Sequence, residues 1–394
     1  MLKQKISLIP RYNWDYGLPD LVSAILGAFN QSPNSLANLE TIFKQKPIFT
    51  NSGRASLYVI LKAFNLPKGS HVGVPLYCCP VVFDAIHQAG LIPRFIDIDQ
   101  EIYNISPDDL RKKIDGLSAL VVIHMFGHPA DMDAILAISK EVPVIEDCAQ
   151  SLFSKYRGKY TGFLSDVSFF SFRSGKYISA GEGSAIFVKD HVLYESIREL
   201  VETFEQANLF GELVHCIATY IKSTLYHRPW YGLVGYPVGT RLDRKLNLTA
   251  KSGFTPGQVT KVDLKIIDKR IPGFLKKIQA QRENSIYLME NIESRSAILP
   301  MEKEGCWSNY YQFPLRFKSQ SERDAVSEYL FTKGIDTAKY LDEVVEVATE
   351  NHGYQGDCPN SELCSKTTLI IPNHYTLSKK DLDHIIQCLN EAIG

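Results

Sequence analysis

Between residues 50 and 190 the chain repeats one unit, a short and continuously apolar run followed by a stretch whose apolar residues fall at helical spacing. The runs are HVGVPLY at 71–77, PRFIDID at 93–99, SALVVIHMF at 118–126 and VPVIED at 142–147, then VSFFSF at 167–172 and GSAIFV at 183–188. A strand with one wet face alternates apolar and polar residues. These Val- and Ile-rich runs do not, so they suit strands buried on both faces, as parallel sheets require. Helices are expected at 54–65, 80–89, 107–115 and 130–140, the last with Asp131 and Asp133 near its start, where the helix dipole favours negative charge. The fold class that follows is α/β, a mostly parallel sheet with helices on both faces.

From about 190 to 250 the rhythm breaks into a helical stretch and an aromatic-rich segment, HRPWYGLVGYPVG, which reads as an insertion. Its aromatic residues suit a packing layer or a wall over a site, with Lys222, Arg228 and Arg241 as candidate phosphate contacts. A helical pattern interrupted by Pro272 spans 258–291. Strands at 310–317 and 367–372 and helices at 321–333 and 378–392 complete a small α+β unit. The expected division is therefore a large domain over 1–257, with an atypical insertion at about 190–250, and a connector helix plus small C-terminal domain over 258–394.

With 43 basic and 44 acidic residues the formal charge is −1, so no field of one sign exists to hold nucleic acid or an anionic membrane. No run of about 18 apolar residues predicts a span, and membrane contact is expected at most through the aromatic insertion. The eight cysteines lack the dense even spacing of a disulfide framework, and the N-terminus lacks a signal-peptide pattern, so a cytoplasmic protein is expected. Cys358 and Cys364 are separated too widely for a usual zinc knuckle, and His124 and His128 read as structural, so no metal site is expected.

Four local features bear on chemistry. Asn51-Ser52-Gly53-Arg54-Ala55 opens a predicted helix, where free N–H groups and the dipole can meet a phosphate. Asp147 ends a strand, where ligands bind in open α/β sheets. Lys176 follows the Ser171 strand, flanked by Gly175 and Tyr177, where loss of solvent favours a neutral nucleophilic amine. Gly181-Glu182-Gly183 follows, without the third glycine of a dinucleotide fingerprint. Alone, each has a plain structural reading. Together they supply what pyridoxal 5'-phosphate needs: a lysine for its aldehyde, a carboxylate for its pyridine nitrogen and a phosphate cup.

The segments NSGRASLYVILKAF, VPLYCCPVVFDAI, VVIHMFGHPADMDAI, VIEDCAQS, DVSFFSFRSGKYISAGEGSAIFV and CPNSELCSKTTLIIPNH, in that order, resemble the DegT/DnrJ/EryC1/StrS aminotransferases. The resemblance implies a fold-type I pyridoxal-phosphate transferase that moves an amino group from a donor such as glutamate to a nucleotide-linked keto sugar, in polysaccharide or secondary metabolite synthesis. It implies Lys176 and Asp147 as the catalytic pair, Gln150 as a ring-face contact, and Ser171 with the backbone of Gly53, Arg54 and Ala55 as the phosphate site. It also implies a homodimer. Three departures mark the chain: Cys79 stands where an aromatic ring usually stacks, Leu152 where a histidine is frequent, and GFTPGQVTK at 253–261 aligns poorly with the segment that reaches the partner's cofactor. These leave a second reading open, a cofactor-binding sensory or regulatory protein with little turnover.

Overall fold

The computed structural model of the protein describes residues 6–29, 37–245, 253–293 and 296–393. The doubly apolar runs form one sheet. In chain order its strands are β1 (Ile48–Thr50), β2 (His71–Pro75), β3 (Ile92–Ile96), β4 (Leu117–Ile123) and β5 (Val144–Asp147), then, after the two-residue β6 (Lys155–Tyr156) and β7 (Lys159–Tyr160) outside it, β8 (Val167–Ser171) and β9 (Ser184–Val188). The spatial order is β1-β9-β8-β5-β4-β2-β3. Strands β3, β2, β4, β5 and β8 pair in parallel, while β9 runs antiparallel to both β8 and β1. Six strands thus point the same way and end on one edge. All of β5 and β9, and all of β4 except Ser118, are buried, which is why these runs show no polar alternation.

Helices at Gly53–Ala63, Val81–Gln88, Pro107–Lys113 and Met132–Ser139 follow the expected positions. The run at 118–126 stops being strand after Ile123, because Phe126 (φ 57°) and Gly127 (φ 86°) turn the backbone away from the sheet. Two N-terminal helices, Leu18–Ala28 and Ala37–Phe43, and two near the C-terminus, Val344–His352 and Pro359–Thr367, carry no expectation from the sequence.

Pro272 does not interrupt its helix, which runs unbroken over Lys261–Asn291. Proline has no N–H for the carbonyl four residues back. That carbonyl, of Asp268, instead accepts the Asn38 side-chain amide at 3.1 Å. The insertion is more helical than expected, with helices His191–Glu202, Leu209–Leu225 and Tyr236–Lys245. Arg228 is bound through both guanidinium N–H groups to Asp381, at 2.8 and 2.9 Å, so it fastens the insertion to the C-terminal helix and is not available to a carrier phosphate. The Arg241 side chain lies outside the described residues. Among the described residues no helix is long and apolar enough to cross a membrane.

The C-terminal part builds an antiparallel sheet from β10 (Ala297–Ile298), β12 (Phe313–Phe317) and β13 (Thr368–Ile371), packed on helices Gln320–Thr332 and Lys379–Ile393 around Leu315, Leu330, Ile371 and Leu389. Strand β11 (Cys306–Trp307) pairs instead with β6, so a short sheet joins the two parts of the chain.

Candidate active site

The shared strand direction gathers the chemistry on one edge. Asp147 is the last residue of β5, Ser171 the last of β8, Cys79 follows β2, and the helix opened by Gly53 follows β1. Beyond β8 the chain makes a tight turn in which the Lys176 N–H donates to the Arg173 carbonyl at 2.9 Å and the Ser174 N–H to the Gly181 carbonyl at 2.8 Å. Gly175 sits in this turn at φ +87°, and a Cβ there would come within 3.0 Å of the Trp14 indole. The turn holds Lys176 half-buried, with Nζ 5.0 Å over the Tyr311 ring. Burial lowers its pKa from 10.5 to about 8, with the Arg173 cation acting in the same sense and the Asp147 carboxylate opposing.

Asp147 is buried, and its Oδ1 accepts the Ala149 N–H at 2.9 Å. Burial raises its pKa, against the Ala149 hydrogen bond and the charge of Lys176. Gln150 is fully engaged: Oε1 accepts the Phe126 N–H at 2.9 Å and Nε2 donates to the Tyr340 hydroxyl at 3.1 Å. Its carbonyl and that of Leu152 accept from the Asn309 side-chain amide at 3.0 and 2.9 Å, which fixes the whole post-β5 turn. The neighbouring Glu146 has no free capacity for a metal, since it accepts from Gly162, Leu164 and Ser165 N–H groups and meets His124 Nε2 at 3.1 Å. His128 bonds Ser308, and burial lowers its pKa to about 4, leaving it neutral.

At the helix start the Ala55 N–H is already taken by the Ser52 hydroxyl at 3.2 Å, an N-cap bond. Gly53 and Arg54 are the first two residues of that helix, ahead of the capped Ala55 N–H. A Cβ on Gly53 would stand 3.7 Å from Ser171 Cβ and 3.4 Å from the Phe169 ring, so the helix start packs directly beside the end of β8. The segment at 253–261 lies alongside, through Asn51 N–H to the Gly257 carbonyl at 2.8 Å and Asn51 Nδ2 to the Thr255 carbonyl at 3.1 Å.

The structure therefore places Lys176 and Asp147 within electrostatic reach of each other, with Gln150 on the same edge and the helix start at Gly53 and Arg54 beside Ser171. Four neighbours have no local signal in the sequence. Tyr311, Tyr340 and Asn309 come from the distant C-terminal part, and Arg173, though within the motif around Lys176, looks there like any exposed cation.

These residues fit pyridoxal phosphate on three observations: a carboxylate whose pKa burial raises, a lysine that burial pulls toward its neutral form, and a helix N-terminus that begins at Gly53 beside Ser171.

Comparison with known proteins agrees. The family model described as the DegT/DnrJ/EryC1/StrS aminotransferase family matches residues 38–214 and 266–390. A GDP-perosamine synthase of Escherichia coli O157:H7 is 28% identical over 345 residues, covering 86% of this chain and 84% of its own. A dTDP-4-dehydro-2,3,6-trideoxy-D-glucose 4-aminotransferase of Saccharopolyspora spinosa is 24% identical over 357 residues, 89% and 85% of the two chains. Among solved structures, the aminotransferase TlmJ from Streptoalloteichus hindustanus superposes with a TM-score of 0.76 at 21% identity, over 98% of this chain and 99% of its own.

Proposed function

The chain belongs to the DegT/DnrJ/EryC1/StrS aminotransferase family, and from that membership we propose an enzyme that moves an amino group from an amino-acid donor, glutamate first among candidates, to a nucleotide-linked keto sugar. The observation that carries the reading is the placement of a desolvated Lys176 amine and the buried Asp147 carboxylate within electrostatic reach at one sheet edge.

When bound, pyridoxal phosphate supplies an electron-withdrawing ring that stabilises negative charge on a carbon losing its proton. Lys176 would anchor its aldehyde, Asp147 its ring nitrogen, and Ser171 with the Gly53 and Arg54 N–H groups its phosphate. Burial raises the pKa of Asp147 against the pull of the Lys176 and His124 charges, so a cationic ring nitrogen set opposite its carboxylate would be favoured there. The Lys176 amine would take the proton from the donor's α-carbon, and in the second half of the cycle would deliver one to the sugar carbon that receives nitrogen. Gln150, locked by Phe126 and Tyr340, lines the ring's place without moving.

Incubation of the purified, cofactor-loaded protein with glutamate should convert the cofactor to its amine form and release one 2-oxoglutarate per site. Subsequent addition of a GDP- or dTDP-linked 4-keto-6-deoxy sugar should restore the starting spectrum. A spectrum that glutamate and other amino acids leave unchanged favours the non-catalytic reading. We also propose a homodimer, the commonest closed assembly, supported by the resemblance to enzymes whose sites draw on two chains. Sedimentation tests it, and full turnover by a monomer refutes it.

A further inference from the structure

The turn that presents Lys176 presents a second cation. Arg173 and Lys176 are the first and last residues of one β-turn, closed by the Lys176 N–H to the Arg173 carbonyl at 2.9 Å, so their Cα atoms lie within about 7 Å of each other. The turn is rigid: Gly175 N–H bonds the Ser179 hydroxyl at 3.1 Å, and the Ser174 hydroxyl bonds the Gly181 carbonyl at 3.1 Å. A guanidinium on the same turn as an amine is unfavourable, and Arg173 adds to the burial that lowers the Lys176 pKa, against the opposing Asp147 carboxylate.

Other arginines around the site are neutralised within the chain. Arg11 pairs with Asp336 at 3.3 Å, Arg270 with Asp20 at 2.5 Å, and Arg282 with Glu302 at 2.5 Å. Arg173 is exposed, and among the described residues no carboxylate stands within ion-pair distance of it. Its charge is left for something that arrives.

The reaction brings two anionic groups, the carboxylate of the donor and the diphosphate of a sugar nucleotide. In the reacting geometry Lys176 Nζ stands about 3.5 Å from the donor's α-carbon. The α-carboxylate is one bond from that carbon, whereas a sugar's diphosphate is several bonds from the carbon that receives nitrogen. Proximity to Nζ therefore selects the carboxylate. Arginine also suits it in shape, since a guanidinium forms two parallel hydrogen bonds with a planar carboxylate.

We infer that Arg173 is the receptor for the α-carboxylate of the amino-acid donor, holding it beside Lys176 on the same β-turn. This rests on the aminotransferase reading. It makes the donor site a property of one rigid turn, separate from the surface that meets the sugar nucleotide.

The test uses cofactor-loaded protein and 2-methylglutamate, which has the amine and α-carboxylate but no α-hydrogen, so that binding is read from the cofactor spectrum without turnover. Isopropylamine, which lacks the carboxylate, is the control. Arg173→Gln should raise the dissociation constant for 2-methylglutamate roughly ten- to a hundredfold, the value of a lost charge-assisted contact, and leave that for isopropylamine unchanged. Arg173→Lys should recover part of the loss. Equal affinity of wild type and Arg173→Gln for 2-methylglutamate, an equal loss for both amines, or no binding of 2-methylglutamate by wild type would each overturn the assignment. A normal carboxylate effect together with no release of 2-oxoglutarate from glutamate would leave Arg173 in place and sink the transaminase reading instead.

Discussion

A lysine amine that loses half its protons near pH 8 rather than at 10.5 is neutral at pH 7 in about one molecule in ten, against about one in three thousand for the ordinary group. Only the neutral form attacks a carbonyl, so burial, with the Arg173 cation acting in the same sense, raises the reactive fraction of Lys176. The sign is open to measurement. In cofactor-free protein, acylation of Lys176 followed by mass spectrometry should accelerate with rising pH and level off above about 8, because protonation below that value removes the nucleophile. Lys176→Ala should leave no borohydride-fixable link to the cofactor, and a link that persists assigns the anchor to another lysine. Asp147 acts on both partners. Asp147→Asn should keep the cofactor but slow the glutamate half-reaction roughly a hundred- to a thousandfold, as removal of a buried electrostatic partner does elsewhere. The same change removes the charge that opposes deprotonation, so the acylation midpoint of Lys176 should move further down. A half-reaction at wild-type rate would take Asp147 out of this role.

Among the elements, the parallel strands were legible because burial on both faces strips them of polar residues, and the residues that end them, Asp147 and Ser171, were legible with them. Gly53 and Lys176 came from short motifs next to those strands. Asn309, Tyr311 and Tyr340 were not legible: each reaches the site across more than a hundred residues of chain, through contacts with no period and no local spacing. Pro272 misled for a related reason. Its missing N–H is a local fact, but the compensating donor, Asn38, lies more than two hundred residues away. Turns behave differently, since their geometry is set locally. Gly175→Ala forces an alanine into φ +87° and against the Trp14 indole, a strain of about 1–3 kcal/mol. The melting temperature should fall, and the glutamate half-reaction should slow as Lys176 and Arg173 shift together. Trp14→Ala in the same protein should relieve the contact but not the backbone strain, so recovery should be partial. Full recovery would mean that the steric contact alone matters.

For the molecule as a whole, the N-terminal segment is the connection that local patterns could not show. Ile9 joins the C-terminal part, its N–H donating to the Gly334 carbonyl at 2.8 Å and its carbonyl accepting the Asp336 N–H at 3.0 Å. Trp14 stacks on Tyr226 of the insertion at 4.1 Å and abuts Gly175 of the lysine turn. Asp15 accepts the Tyr375 hydroxyl at 2.7 Å and pairs with Lys277 of the long helix. One strap thus fixes the insertion, the long helix and the C-terminal part against the site, and its electrostatic centre is Arg11 with Asp336. Asp336 is buried and also accepts the Tyr231 hydroxyl, so the insertion enters the same cluster. Asp336→Asn keeps the shape and removes the negative charge, leaving the mostly buried Arg11 cation uncompensated at a cost of roughly 3 kcal/mol. Arg11→Met should cost less, because burial has already raised the pKa of Asp336 and its carboxyl can take up a proton. The double variant, with neither charge, should be more stable than Asp336→Asn alone, and urea unfolding of all four proteins measures the coupling. Strict additivity, with no recovery in the double variant, would show that Arg11 and Asp336 do not hold the strap, and its seat over Gly175 would then rest on the Trp14 stack and the Ile9 backbone bonds.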